Sequence, residues 1–237
     1  MMDDDYEQSE PFEGATAEEC YVAFVDVLGF GTQVLNDFDS AFQAYREILN
    51  NWRWHYKFSS DVPARIYSDA ILLTSTNLGQ LIGAVVTLNM VTLMGDCLIR
   101  GGIAKGRHIE ASEGENVYVV SEALTKAVHL EKSTGWPCVA LCKDIKIPPH
   151  WWDLQYRNIQ RGILYFDDLI IVNPLNIHWG RSAQTRVCQL AAAYPEHQSK
   201  YDWFLRLTET IFSDIPLVPP WIVEENSNAQ QKNQPDW

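Results

Sequence analysis

Asp26 and Asp69 are the two residues whose settings point most directly to chemistry. In "FVDVLGFG" (24–31), Asp26 ends an apolar run that begins at Tyr21, three residues ahead of a turn bracketed by Gly29 and Gly31. In "RIYSDAILL" (65–73), Asp69 follows Ser68 between two short apolar runs. Burying an unpaired carboxylate costs on the order of several kcal/mol, so Asp26 requires a basic side chain, a helix start or a metal ion beside it. Read as a strand end and a neighbouring hairpin tip, Asp26 and Asp69, with the Val27 carbonyl, form an oxygen-rich pocket suited to Mg²⁺ or Mn²⁺. The turn through Phe30 and Gly31 presents amide N–H groups at a helix start, a favourable place for phosphate oxygens. On spacing alone a plainer reading stands beside this one, with Asp26 capping the turn and Asp69 an ordinary hairpin-tip acid.

The elements that must position these acids follow from periodicity. Tyr21 to Leu28 is nearly continuous in apolar residues, as in a central strand covered on both faces. From Thr32 the period changes, and Leu35, Phe38, Phe42, Tyr45, Leu49 and Trp52 describe one helical face. Residues 64–75 read as strand, polar Ser68-Asp69, strand. Asn77 is placed to cap a helix running to Met94. "CLIRGGIAKGRHIEA" resumes strand character, Ser121 caps a helix that ends near Gly135, and "WPCVALC" is a further strand. Strand, helix, hairpin, helix, strand, strand is the order of an α+β, ferredoxin-like split βαβ sheet with helices on one face. "RGILYFDDLIIVNPL" adds a hairpin, and residues 201–212 a helix.

Composition narrows the function. The chain has 237 residues, 46% of them apolar, which is enough for one large core. A net charge of −13 argues against wrapping a nucleic acid, though one nucleotide in a locally basic pocket is compatible with it. The five cysteines lack zinc spacing and read as buried free thiols of a reducing, cytoplasmic compartment. The first twenty residues are acidic rather than signal-like, and 78–94 is too short and polar for a membrane span, so a non-membrane protein is expected. Trp151 and Trp152 read as packing residues.

Four segments in order then resemble the class III nucleotidyl cyclases. "FVDVLGFG" is similar to their first metal-binding segment and "RIYSDAILL" to their second. "RGGIAKGRHI" is similar to their Arg-x-Gly-Ile-x-x-Gly strand turn, and "SEALTKAVHLEKSTGWPCVAL" occupies the place of their last catalytic helix. The resemblance covers about residues 21–141. It implies that Asp26, Asp69 and the Val27 carbonyl hold two divalent ions, Mn²⁺ or Mg²⁺, and that Phe30 and Gly31 belong to the triphosphate loop. Arg107 falls where the family places a triphosphate-binding arginine, and a planar guanidinium suits phosphate oxygens. The family pattern also departs. Arg65 stands where purine cyclases carry a base-reading lysine, Tyr118 near the purine-selecting acid or threonine, and Thr125 and His129 in place of the catalytic asparagine and arginine.

The metal half of the site is thus kept while the base-reading half is rewritten, as a changed base requires. The variant helix most resembles those of bacterial anti-phage cyclases, which make cyclic CMP or cyclic UMP and signal to an effector. The implied function is conversion of UTP, or CTP, to the 3′,5′-cyclic monophosphate and pyrophosphate, in a homodimer with sites at the subunit interface. Purine cyclisation and a catalytically inactive nucleotide-binding sensor are the alternatives. A diguanylate cyclase is disfavoured by the lack of a Gly-Gly-Asp/Glu-Glu-Phe turn. The expected organisation is a disordered acidic tail (1–18), a cyclase-like core (19–145), an extension packed on it (146–224) and a disordered polar tail (225–237).

Overall fold

The computed structural model describes residues 12–56, 62–114, 116–176 and 178–224. Of the expected tails (1–18 and 225–237), residues 1–11 and 225–237 lie outside the described residues, whereas 12–18 are described, with the Ala15 N–H bonded to the Phe12 carbonyl and Glu18 already in the first strand. The central strand, β1 (Glu18–Val27), is hydrogen-bonded antiparallel to β3 (Ala70–Ser75) on one side and to β4 (Ile99–Glu113) on the other. β2 (Ala64–Tyr67) forms the hairpin with β3, and β5 (Asn116–Ser121) pairs with the far half of β4. β6 (Val139–Leu141) runs parallel to β4, so the helix between them crosses over the sheet. The hairpin β7 (Ile163–Phe166) and β8 (Leu169–Val172) then extends it through β6, giving the order β2-β3-β1-β4-β6-β8-β7. The α+β split βαβ architecture read from the sequence is the one observed.

Strand alternation sorts the side chains into two layers. Ala23, Val25 and Val27 join Ile71 and Leu73 on one face, buried beneath α3 (Leu78–Met94) through Leu81, Val85 and Leu88. α3 begins where Asn77 accepts a hydrogen bond from the Gln80 N–H, the cap its sequence specified. The other face is covered by α4 (Glu122–Thr134), capped by Ser121 and ended by Gly135 in the left-handed region (φ 70°). α4 lies close because β4 presents glycine there: a Cβ on Gly102 would stand 2.3 Å from the Ala127 carbonyl oxygen. Further along, Ala140, Leu164, Phe166 and Ile171 form a second core with α5 (Gly180–Ala193) and α6 (Gln198–Phe212).

Three sequence expectations are corrected here. Helices cover both faces of the sheet rather than one, because the crossover α4 packs opposite α3. The single helical face from Leu35 to Trp52 is divided between α1 (Phe30–Asn36) and α2 (Phe38–Tyr56). Asp37 ends the first and caps the second, accepting from the Ser40 N–H at 3.1 Å and the Ser40 hydroxyl at 2.7 Å. The break resets the phase, so Ala41, Ile48 and Trp52 are buried while Leu35, Phe38 and Phe42 are exposed. Cys188 is exposed rather than buried. Burial pushes the Cys97 thiol up to about 11 and Cys138 up to about 12, which leaves both inert at neutral pH. Among the described residues no helix is long and apolar enough to cross a membrane.

Candidate active site

The antiparallel register sets Asp26 opposite Ala70 of β3 on one side and Arg100 of β4 on the other. Asp69, one residue before Ala70, is fixed at the hairpin tip by its carbonyl, which accepts the Val27 N–H at 3.1 Å. Ser68 makes the tip by adopting φ 56°, and its carbonyl accepts a hydrogen bond from the Tyr45 hydroxyl of α2. Next to the acids, the chain leaves β1 through Gly29 at φ 77°, a conformation that glycine adopts without strain, and enters α1. A Cβ on Gly31 would lie 4.0 Å from Asp69 Oδ2, so the first turn of α1 sits directly against that carboxylate. The first amides of a helix have no acceptor within it, which leaves those of Phe30 and Gly31 available. The Phe30 ring itself is buried, 5.0 Å from the ring of Tyr45, and is a core residue. Val27 is buried too and has only its carbonyl to offer.

Of the three partners Asp26 was expected to need, the fold supplies a basic side chain. Arg100 Nε donates to Asp26 Oδ2 at 2.9 Å and lies 2.7 Å from Glu131 Oε1, an acid on α4 whose side chain is 4% exposed. The N–H is directed at Asp26, so the contact with Glu131 is ionic. Burial pushes the Asp26 carboxyl above its ordinary value. Arg100 pulls it back, Asp69 raises it further and Lys200 of α6 lowers it. Net destabilisation of a carboxylate that already has a guanidinium partner marks a place where more positive charge is favourable. Among the described residues no three His, Cys, Asp or Glu side chains gather as a metal cage. Two carboxylates, one with an oxygen unused by Arg100, and a backbone carbonyl fit a hard divalent ion that takes its remaining ligands from phosphate and water.

The other sequence-predicted residues lie elsewhere on the chain. Arg65 of β2 is ion-paired with Glu110 of β4, on the sheet face that carries α4. Thr125 and His129 occupy the outer side of α4: both are exposed, about 200° around the helix from inward-facing Ala127 and Glu131. The Thr125 hydroxyl donates to the Ser121 carbonyl. Arg107 stands seven residues beyond Arg100 on β4, about 23 Å at strand rise, exposed and 3.6 Å from Glu122. Tyr118 of β5 is further out still, its hydroxyl 3.2 Å from Glu113. Within one chain, therefore, Asp26, Val27, Phe30, Gly31 and Asp69 come together, and Arg65, Arg107, Tyr118, Thr125 and His129 do not join them. Sequence reading missed Arg100, Glu131 and Lys200. Arg100 carried a signal, since it follows the apolar "CLI" at the start of the strand beside β1; the other two did not.

No family model matches the chain, and no curated protein matches it. Solved structures do. A class III adenylyl cyclase-like ATP-binding protein from Pseudomonas aeruginosa aligns with a TM-score of 0.50 at 9% identity, over 71% of this chain and 41% of that one. The fold is that of a class III cyclase domain. Also similar are a bacterial light-regulated adenylyl cyclase (TM-score 0.48, 13% identity, 77% of this chain and 59% of that one) and the adenylyl cyclase CyaB of P. aeruginosa (TM-score 0.44, 13% identity, 55% and 79%). In this sheet, Asp26 stands near the end of β1 and Asp69 at the tip of the neighbouring β2–β3 hairpin, beside the glycine turn.

Proposed function

We propose that the protein is a metal-dependent nucleotidyl cyclase that converts a pyrimidine nucleoside triphosphate, UTP in preference to CTP, to its 3′,5′-cyclic monophosphate and pyrophosphate. The observation that carries this reading is the convergence of Asp26, Asp69 and the Gly29–Gly31 turn at one end of the sheet. In the reaction the ribose 3′-oxygen bonds to the α-phosphorus, the bond from that phosphorus to the β-phosphate bridging oxygen breaks, and the 3′-hydroxyl proton leaves to solvent. Mn²⁺ or Mg²⁺ held by Asp26, Asp69 and the Val27 carbonyl, two ions per site, would supply the Lewis-acid charge for attack and departure. The chain's own part is positioning. The amides of the first α1 turn orient phosphate oxygens, and the Tyr45 hydroxyl fixes the hairpin tip that aims Asp69. Arg65 supplies donors for uracil O4 or O2, and Glu110 beside it an acceptor for uracil N3–H.

Thr125 and His129 face outward from α4, away from their own Asp26 and Asp69, and Arg65 is held by Glu110, which supports a two-fold homodimer with shared sites. The cyclic product would then act as a messenger to an effector, as in the anti-phage cyclases that the α4 segment resembles. Incubation with ATP, GTP, CTP and UTP together plus Mn²⁺, with products resolved by mass, tests the proposal. A cyclic pyrimidine monophosphate lost in Asp69→Ala is expected, and a cyclic purine product would overturn the base assignment. Mixed Asp69→Ala and Thr125→Ala chains should regain part of the activity; no rescue in confirmed heterodimers would refute the shared site.

A second reading has one observation in its favour. The Arg100 ion pair already engages one oxygen of Asp26, which competes with a metal ion for it, and the Pseudomonas protein of similar fold is a cyclase-like ATP-binding protein. Metal-dependent binding with no triphosphate consumed would select it.

A further inference from the structure

The C-terminal helices belong to the second core, yet the start of α6 does not end there: it returns to the glycine turn that follows β1. A Cβ on Gly29 would stand 3.9 Å from His197 Nε2. His197 is the residue before α6, and Lys200 follows three residues later, one turn on and on the same side of the helix. Both are half-buried while Gln198 and Ser199 between them are exposed, so the pair faces the protein rather than solvent. Lys200 thereby follows His197 toward the turn at the end of β1, and its charge favours the ionised form of Asp26, though less than Arg100 does. Gly29, the residue against His197, opens the same turn whose Gly31 lies 4.0 Å, at its Cβ position, from Asp69 Oδ2. Arg107, the residue that the sequence resemblance assigns to the triphosphate, is on another part of β4 and engaged by Glu122.

We propose that Lys200, with His197 beside it, is the polyphosphate-binding group of this site, contributed in cis by the helical extension. The inference rests on the cyclase-type reading only for the nature of the ligand, a metal-bound triphosphate tail. An ammonium on a four-carbon stem is a mobile point charge, suited to following the β- and γ-phosphates along the glycine turn. His197 Nε2 adds a directional contact near Gly29. The extension would thereby be part of the substrate site, and its packing through α5 and the second core would set how firmly the tail is held.

Calorimetric titration of the full chain with inorganic tripolyphosphate and Mg²⁺ tests this without requiring turnover. Lys200→Met and Lys200→Gln are made in parallel, with Lys200→Arg as the conservative variant. Lys146→Met, at an exposed position, controls for the same change in net charge. The expected result is binding by the wild type, a loss of about tenfold or more in Lys200→Met or Lys200→Gln, retention in Lys200→Arg and no change in Lys146→Met. If the wild type binds and the neutral Lys200 variants bind as Lys146→Met does, the assignment of Lys200 is overturned while the cyclase-type reading stands. If the wild type binds no tripolyphosphate with Mg²⁺, the assignment of Lys200 falls, and the incubation with the four nucleoside triphosphates decides the cyclase-type reading separately.

Discussion

Replacing Arg100 by methionine isolates the charge cluster behind the acid pair. Arg100 joins Asp26 and Glu131, whose side chains are 20% and 4% exposed, and is itself 34% exposed. Removing one partner of a buried ion pair costs about 3–5 kcal/mol, because the remaining charge loses its compensation. Asp26 has access to solvent and Arg100 is one-third exposed, so Glu131 carries most of the loss and the lower end, about 3 kcal/mol, applies. Converting Glu131 to glutamine in the same chain removes the stranded charge. The double variant Arg100→Met/Glu131→Gln should return to within about 1 kcal/mol of wild type, a coupling of about 2 kcal/mol. Urea unfolding of the four proteins of the cycle at neutral pH measures it. A loss below about 1 kcal/mol in Arg100→Met, or additive losses in the double variant, would refute the view that Arg100 neutralises the buried Glu131.

Gly102→Ala drives a methyl group into the Ala127 carbonyl, 2.3 Å away, and Leu130 Cβ, 3.0 Å away. It should displace α4, lowering stability by about 2–3 kcal/mol by thermal unfolding. Asp167 accepts from the Trp203 indole at 2.8 Å and from Arg206 at 3.0 Å, and chiefly the Arg206 hydrogen bond holds its carboxyl below the ordinary value. A lowered folded-state value means that its stabilisation is present above the unfolded value near pH 4 and is lost as pH falls through the folded one. Asp167→Asn should therefore cost about 1 kcal/mol at pH 7 for this partly exposed pair, and the difference should vanish in strong acid when urea midpoints are compared. Asn158 ties three backbone groups together, donating to the Thr210 and Ile215 carbonyls and accepting from the Leu217 N–H at 2.8 Å. Asn158→Ala should cost about 2 kcal/mol and speed amide exchange at Leu217 and at Tyr165, whose N–H bonds to the Leu217 carbonyl.

The amino-acid sequence determined the local elements where side chain and backbone act within a few residues. Asn77 and Ser121 start α3 and α4 because a short polar side chain can take up an amide of the next turn, and Gly135 ends α4 because it tolerates a left-handed backbone. The apolar run from Tyr21 and the glycine-bracketed turn after it likewise placed Asp26 at a strand end. Pairing across the sheet is a different kind of fact. Whether Arg100 or a solvent-facing residue stands opposite Asp26 depends on the β1–β4 register, seventy-four residues apart in sequence, and no short-range pattern encodes it. The same holds for Glu131, which reads as one more acid on an amphipathic helix until α4 is laid on the glycines of β4. It holds for Leu35, Phe38 and Phe42, apolar by type but turned outward once Asp37 breaks the helix. Lys200 is the furthest case. Its approach to the glycine turn, one helical turn after His197, follows from the way the β7–β8 hairpin, α5 and α6 fold back on the sheet, and tertiary structure alone decided it, because burial of the second core, not any feature of the α6 sequence, brings that helix start there.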